Sequence, residues 1–312
     1  MKNSLILMAL LSGMLFFSCA DEKKGDSEAE VAEVTTEEFN YQVDQFADLK
    51  ILRYQIPGFE ELSLDKQKLV YYLTQAGLEG RDIMWAQNYR HNLEIRSALE
   101  NIYTKYEGDK SSADWNNFKT YLKRVWFSNG IHHHYSNAKI KPDFNSDYLQ
   151  SLLDATGTTL AGEAFEVIFN DKDAKKVNLS KDADIVYESA INFYGPDVTT
   201  ADVDAYYGAI TVNADEPIEI GLNTRLVKEN GKLVEQVYKS GGLYGAAIDK
   251  IIMWLEKAQG VAESENQSKA LGLLIEYYKT GSLDTWDDYA VAWVNSTEGD
   301  IDWINGFYRS LQ

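Results

Sequence analysis

The chain has 312 residues, of which 45% are hydrophobic, 12% aromatic and 25% charged, and this excludes disorder over its whole length. Gly (21) and Pro (4) are too few for a collagen-like or low-complexity chain. Forty-nine Asp and Glu against 30 Lys and Arg give a net charge of −19, which excludes nucleic acid as a partner, because phosphate contacts need a basic face. The acidic balance is either a solvated, solubilising surface or a means of attracting cationic ligands such as basic peptides.

Residues 1–18, MKNSLILMALLSGMLFFS, carry one charge, Lys2, ahead of an apolar run, and read as a signal peptide too short for a standard membrane span. Cys19 is the only cysteine and follows Ser18. This arrangement resembles a bacterial lipoprotein signal with lipidation at Cys19, although Phe16 stands where an aliphatic residue is usual; the alternative is a plain secretory signal with an incidental cysteine. Residues 19–38 are polar and acidic and read as a tether, similar to the surface-export signals of some Bacteroidetes-type lipoproteins. The expected location is therefore the cell envelope, with the chain held on the membrane through Cys19 and facing the periplasm or the surface. With Cys19 modified, no thiol remains for a disulfide, a thiolate zinc site or a nucleophile.

The folded region is expected to start at Phe39. Residues 49–56, LKILRYQI, suit a strand that Pro57-Gly58 ends. Ser63-Leu64-Asp65 opens a helix with Leu69, Val70, Leu73 and Ala76 on one face. A longer helix is expected over 81–106 and another over 114–127, where Trp115, Phe118, Leu122 and Trp126 recur at helical spacing. Residues 148–153 form a helical patch, and 164–169, AFEVIF, fit either a short strand or a helix turn. Two strand-like runs flank Asn230-Gly231, a dipeptide that favours a tight hairpin turn. Beyond Gly242, helical stripes run through Tyr244–Ala258 and Ala270–Tyr277, and a last helix spans 284–294. The fold class expected is α+β, a mainly helical lobe with a small β-barrel or sheet.

Four histidines are present: His91, His132, His133 and His134. His91 has no second histidine at helical spacing, so it reads as structural, with Glu94 in reach. His132 and His134, on an extended loop, would share one face, with Asp143 and Asp147 within chain reach; the loop is a ligand contact, a metal site or a satisfied structural turn. No GxSxG, GxGxxG or P-loop pattern occurs, and Gly241–Ala247 reads as helix packing and capping. No catalytic residue and no metal ligand is assigned from spacing.

The stretches FADLKILRYQIPGFEELSLDKQKLVYYLTQAGLEGRDIMWAQNYRHNLEIR, FSNGIHHHYSNAKIKPDF and DIDWINGF resemble, in that order, segments of the dipeptidyl peptidase III family in its bacterial branch. The resemblance implies zinc exopeptidases that release N-terminal dipeptides from oligopeptides. It implies two lobes around a cleft: a lower lobe with a β-barrel, and a helical upper lobe with zinc on an HExxxH helix whose Glu is the general base. This chain has no HExxxH, and after Gly306-Phe307 it reads Tyr308-Arg309-Ser310-Leu311-Gln312 where the family has a substrate-gripping Glu. The switch is expected of a frameshift, an early stop or a shorter paralogue. By the resemblance, residues 39–312 form the lower lobe without the zinc-bearing lobe.

Tyr135 matches an aromatic position that lines a peptide subsite, with His134 and Asn137 beside it. The expectation is a lipid-anchored, dipeptidyl-peptidase-III-like chain, holding no cofactor by itself although the full-length family holds zinc, inactive alone, with oligopeptides as partners. The alternative is a non-catalytic surface lipoprotein that binds peptides or another partner.

Overall fold

The computed structural model describes residues 39–160, 162–211 and 218–305, so the expected signal peptide, Cys19, the tether and the residues after Asn305 lie outside the described residues. The chain divides into Met1–Tyr41, of which 39–41 are described, and Gln42–Gln312.

In the second unit β1 (Gln42–Phe46) and β2 (Leu49–Leu52) form an antiparallel hairpin. The strand expected over 49–56 stops at Leu52 because Gln42, its partner there, is where β1 begins. Helix α1 (Leu64–Glu79) starts at Ser63, whose Oγ accepts from the Lys66 amide and so meets one of the donors that a helix start leaves open.

The helix expected over 81–106 is two helices, α2 (Arg81–Asn88) and α3 (Asn92–Lys105). The break is at Tyr89, which adopts extended backbone (φ −170°, ψ 140°). Its ring is fully buried, and its hydroxyl donates to Asp173 Oδ2 at 2.6 Å. Burying an aromatic ring yields roughly 2–3 kcal/mol, enough to offset the helical hydrogen bonds lost, each worth about 1 kcal/mol net. Helices α4 (Ala113–Ser128), α5 (Ser146–Thr156) and α6 (Gly162–Phe169) complete this half, so the ambiguous 164–169 run is helical. Trp85, Leu99, Trp115, Phe118, Leu122 and Leu149 make its core.

A second core joins α1 to α8 (Gly245–Gln259), α9 (Glu265–Thr280) and α10 (Leu283–Val294) through Leu69, Ile248, Leu255, Leu271, Leu274 and Tyr277. Between the halves lie α7 (Thr200–Gly208), started by a Thr199/Asp202 capping box, and the hairpin β3 (Thr224–Glu229) and β4 (Lys232–Val237). Asn230 and Gly231 both have positive φ (51° and 76°), as the two-residue turn requires.

The architecture is α+β and mainly helical. Of the barrel and the sheet expected, the described residues form two separate two-stranded sheets, β1–β2 and β3–β4, and no closed barrel. Short segments nevertheless hydrogen-bond in series. His133 N donates to Ala138 O, Lys139 N to Ala174 O and Lys176 N to Asn137 O. Ile191 N then donates to Lys176 O, and Leu226 N to Phe193 O, which carries the ladder to β3. Isolated bridges rather than strands mark this ladder, because each segment contributes only one or two pairs.

Candidate functional site

The expected site loop leaves α4 through Gly130. Asn92, at the start of α3, holds that exit: its Nδ2 donates to Trp85 O at 3.0 Å and its Oδ1 accepts from Ile131 N at 3.1 Å. Gly130 has φ +147°, and a Cβ there would fall 2.1 Å from Asn92 Nδ2, so the position demands glycine. The chain then runs out to a turn at 134–136 and back, closed by the His132–Lys139 bridge and by Ile140 N donating to Ile131 O.

The three adjacent histidines have three different surroundings. His132 is 2% exposed, and its Nε2 lies 2.7 Å from the Asp173 carbonyl, so the ring proton is on Nε2. Burial pushes its imidazole down to about 4, so it is neutral at pH 7. His133 Nδ1 accepts from the Tyr135 and Ser136 amides at 3.1 and 3.0 Å, which tightens the turn. His134 Nδ1 lies 3.4 Å from Ser128 Oγ, and its ring stacks on His133 at 4.4 Å. Burial, then the charges of His133 and Lys176, hold His134 below the ordinary imidazole value. His132 and His134 thus do not share a face: regular extension ends at His133, where the chain turns and the alternation of sides lapses.

Tyr135 stands at the tip, 86% exposed, its ring 4.3 Å from that of His134. Asn137 occupies the left-handed region (φ 60°), and its carbonyl accepts from Lys176 N. The turn therefore brings His134 and Tyr135 together, while the described contact of Asn137 is through its backbone. Asp147 sits in the first turn of α5, and Asp143 uses its carbonyl to accept from Asn117. The carboxylate beside His91 is Glu163, at 3.4 Å, rather than the expected Glu94.

His134 also lines a cavity of about 340 Å³ that sequence reasoning missed. Ile83 and Met84 of α2, Phe193 of the ladder, and Ile248 and Ile251 of α8 make its wall mostly apolar. Tyr277 and Tyr278 of α9 close another side. Lys176, only 5% exposed, is the one Lys, Arg, Asp or Glu among the described residues of the lining. The sequence around it, AKKVNL, places Lys175 beside Lys176. Only the ladder, which binds the Lys176 backbone on both sides, distinguishes the buried lysine from the exposed one.

A second hollow, of about 490 Å³, is polar and borders Arg90, Glu163, Lys172 and Asp173. Its charges satisfy one another: Glu163 meets Arg90 at 3.0 Å and Lys172 at 2.5 Å, and these two partners pull its carboxyl down to about 2.

Residues 192–311 match the model of Peptidase family M49. Among solved structures the chain is similar to dipeptidyl peptidase III from Caldithrix abyssi, with 19% identity and a TM-score of 0.49 over 78% of this chain and 35% of that one. It is also similar to dipeptidyl-peptidase III from Corallococcus sp. strain EGB, with 13% identity and a TM-score of 0.48 over 78% and 35%. The chain thus spans about a third of the length of these proteins. No curated protein matches it. The family match includes DIDWINGF and runs on to residue 311, past Phe307, where the sequence alone marks the end of the likeness. It does not include the two amino-terminal stretches that carry the resemblance.

Family M49 is in general zinc-dependent. Two of the four histidines are engaged locally: His132 Nε2 donates to a carbonyl and His133 Nδ1 accepts from two amides. Among the described residues, no three His, Cys, Asp or Glu side chains are grouped to hold a metal.

Proposed function

We propose that this chain is the peptide-contacting portion of a dipeptidyl-peptidase-III-like protein and that it does not hydrolyse peptides alone. The match of residues 192–311 to the M49 family carries the reading. Zinc in such a peptidase supplies the activated water and the charge that stabilises the transition state, and the imidazoles of His132 and His133 are engaged in local contacts. Tyr135, at the tip of an ordered turn with its ring open to solvent, is suited to lie against an apolar side chain of an oligopeptide. His134 and Asn137 set the shape of that turn.

The test is release of N-terminal dipeptides from a fluorogenic dipeptidyl amide by the purified full chain, with and without added zinc. No release is expected in either condition. Turnover abolished by a chelator would overturn the reading.

The same proposal places the protein on the cell envelope, with lipid on Cys19. Labelling cells with an alkyne fatty acid should mark the wild type and not Cys19→Ala, and the variant should leave the membrane fraction. Equal labelling of both would defeat the lipoprotein assignment. Among the described residues no helix is long and apolar enough to cross a membrane.

A further inference from the structure

Lys176 poses a problem in physical chemistry. The residue is 5% exposed, and it lines an apolar cavity with no Asp or Glu among the described lining residues, its ammonium not fully closed off from that space. A buried ammonium costs several kcal/mol unless it is paired. In a chain with 49 acidic residues a partner carboxylate is cheap to supply, yet no ion pair or hydrogen bond is described for this ammonium. Burial alone holds Lys176 below the ordinary lysine value, with no carboxylate acting on it.

Lys139 shows the contrast. It is also buried, at 8% exposed, but its Nζ donates to the carbonyls of Asn170 and Lys172. That lysine is consumed by the fold, whereas the ammonium of Lys176 is not.

We propose that the cavity binds the carboxylate of a molecule with an apolar body, with Lys176 as the counter-ion and His134 and Ser128 beside it. The observations that carry this are a largely buried lysine on the cavity wall with no described ion pair, the apolar wall of Ile83, Phe193, Ile248 and Ile251, and the volume of about 340 Å³. That volume is at the small end of ligand pockets, which run from about 300 to 1,000 Å³, so the body is of the size of one aromatic or branched side chain. A charge-assisted hydrogen bond is among the stronger single polar contacts. The carboxylate belongs either to a free organic acid or to the C-terminus of a peptide. The inference does not rest on the peptidase reading.

The test is calorimetric titration of the full chain at pH 7 with 3-phenylpropanoate and with its neutral isostere 3-phenylpropanamide. The acid should bind at least tenfold more tightly than the amide. Lys176→Met should bring the two within twofold, and Met84→Trp, at a half-exposed part of the wall, should weaken both. If Lys176→Met does not fold, the Nζ resonance of Lys176 in the wild type gives the answer: it should shift with the acid and not with the amide. A second pair, Ala-Ala-Ala-Phe with free and amidated C-termini, identifies the source. Preference for the free peptide assigns the carboxylate to a peptide terminus, and preference in the small pair alone assigns it to a free acid. Equal binding of acid and amide in both pairs, or a preference that survives Lys176→Met, would overturn the proposal.

Discussion

Gly130→Ala tests whether one asparagine holds the site turn to the helical core. The new Cβ would lie 2.1 Å from Asn92 Nδ2 and 2.7 Å from Asn92 Cγ, far inside contact distance. Asn92 is buried and has no free direction to yield, so it must give up its bonds to Trp85 O and Ile131 N. A buried polar group left without its partner costs about 1–3 kcal/mol, and alanine at a positive φ adds roughly 1 kcal/mol. The sum is about 2–4 kcal/mol. At roughly 2–4 °C per kcal/mol for a large domain, thermal unfolding followed by far-ultraviolet circular dichroism should move down by about 4–16 °C. In an Asn92→Ala background the clash is gone, and the same Gly130→Ala change should cost only about the backbone share of 1 kcal/mol. Equal costs in the two backgrounds would refute the argument, because they would show that the asparagine is not what the methyl group meets.

Tyr89→Phe should destabilise by about 1.5–3 kcal/mol, since it removes a hydroxyl donating to a carboxylate at 2.6 Å; urea unfolding measures it, and a change below 0.5 kcal/mol would deny the bond any weight. His132 is expected to make the fold acid-sensitive. Burial lowers its folded value to about 4 against 6.5 unfolded, while Lys139, Asp173 and Lys176 face it, so its contribution is complete above pH 6.5 and lost as pH falls toward 4. That contribution is roughly 3 kcal/mol at 1.36 kcal/mol per pH unit. His132→Gln keeps a donor toward the Asp173 carbonyl without the titration, so the difference in unfolding free energy between pH 7 and pH 4.5 should shrink in the variant. An unchanged difference would place the acid sensitivity elsewhere. Tyr135→Ala should leave stability within about 0.5 kcal/mol of wild type, as substitutions at exposed positions do, yet weaken oligopeptide binding about tenfold, or 1.4 kcal/mol. Loss of stability with unchanged peptide affinity would reverse the roles given to that ring.

The helices were legible wherever a cap and an apolar stripe agree. Ser63 ahead of Leu69 and Leu73 opens α1, and Trp115, Phe118 and Leu122 of the expected α4 face are buried, whereas Trp126 near its end is exposed. Asn230-Gly231 turns its hairpin for the reason that dipeptides of this kind usually do, since both residues take positive φ without strain. The break at Tyr89 was hidden because the apolar period continues across it, and what offsets the lost helical bonds is burial of its ring, with the hydroxyl bonded to Asp173, 84 positions away. The ladder through 138–139, 174–176 and 190–193 was hidden because its segments are too short for alternation to show. The site was half legible for the same reason. A cluster of three histidines draws the eye, and one of them, His134, does line the cavity. Lys176 does not stand out, because its burial is set by pairing with Asn137 and Ile191 rather than by any property of AKKVNL.

Lys139 and Lys176 allow that distinction to be measured. Both are buried lysines, and methionine is close to both in length and flexibility. At Lys139 the ammonium meets the carbonyls of Asn170 and Lys172 just beyond the end of α6, where the helix dipole also favours a cation. Lys139→Met strands those carbonyls and should cost about 2–4 kcal/mol. At Lys176 the side chain is largely buried without a described partner, so Lys176→Met should leave the fold about as stable as wild type. Paired urea titrations of the two variants give the comparison. A loss at Lys139 with none at Lys176 would mean that the fold needs one lysine and tolerates the other, which is what a group kept for a ligand looks like. A loss of 2 kcal/mol or more at Lys176 would show that the fold itself uses that charge, and the cavity would then have no counter-ion to spare.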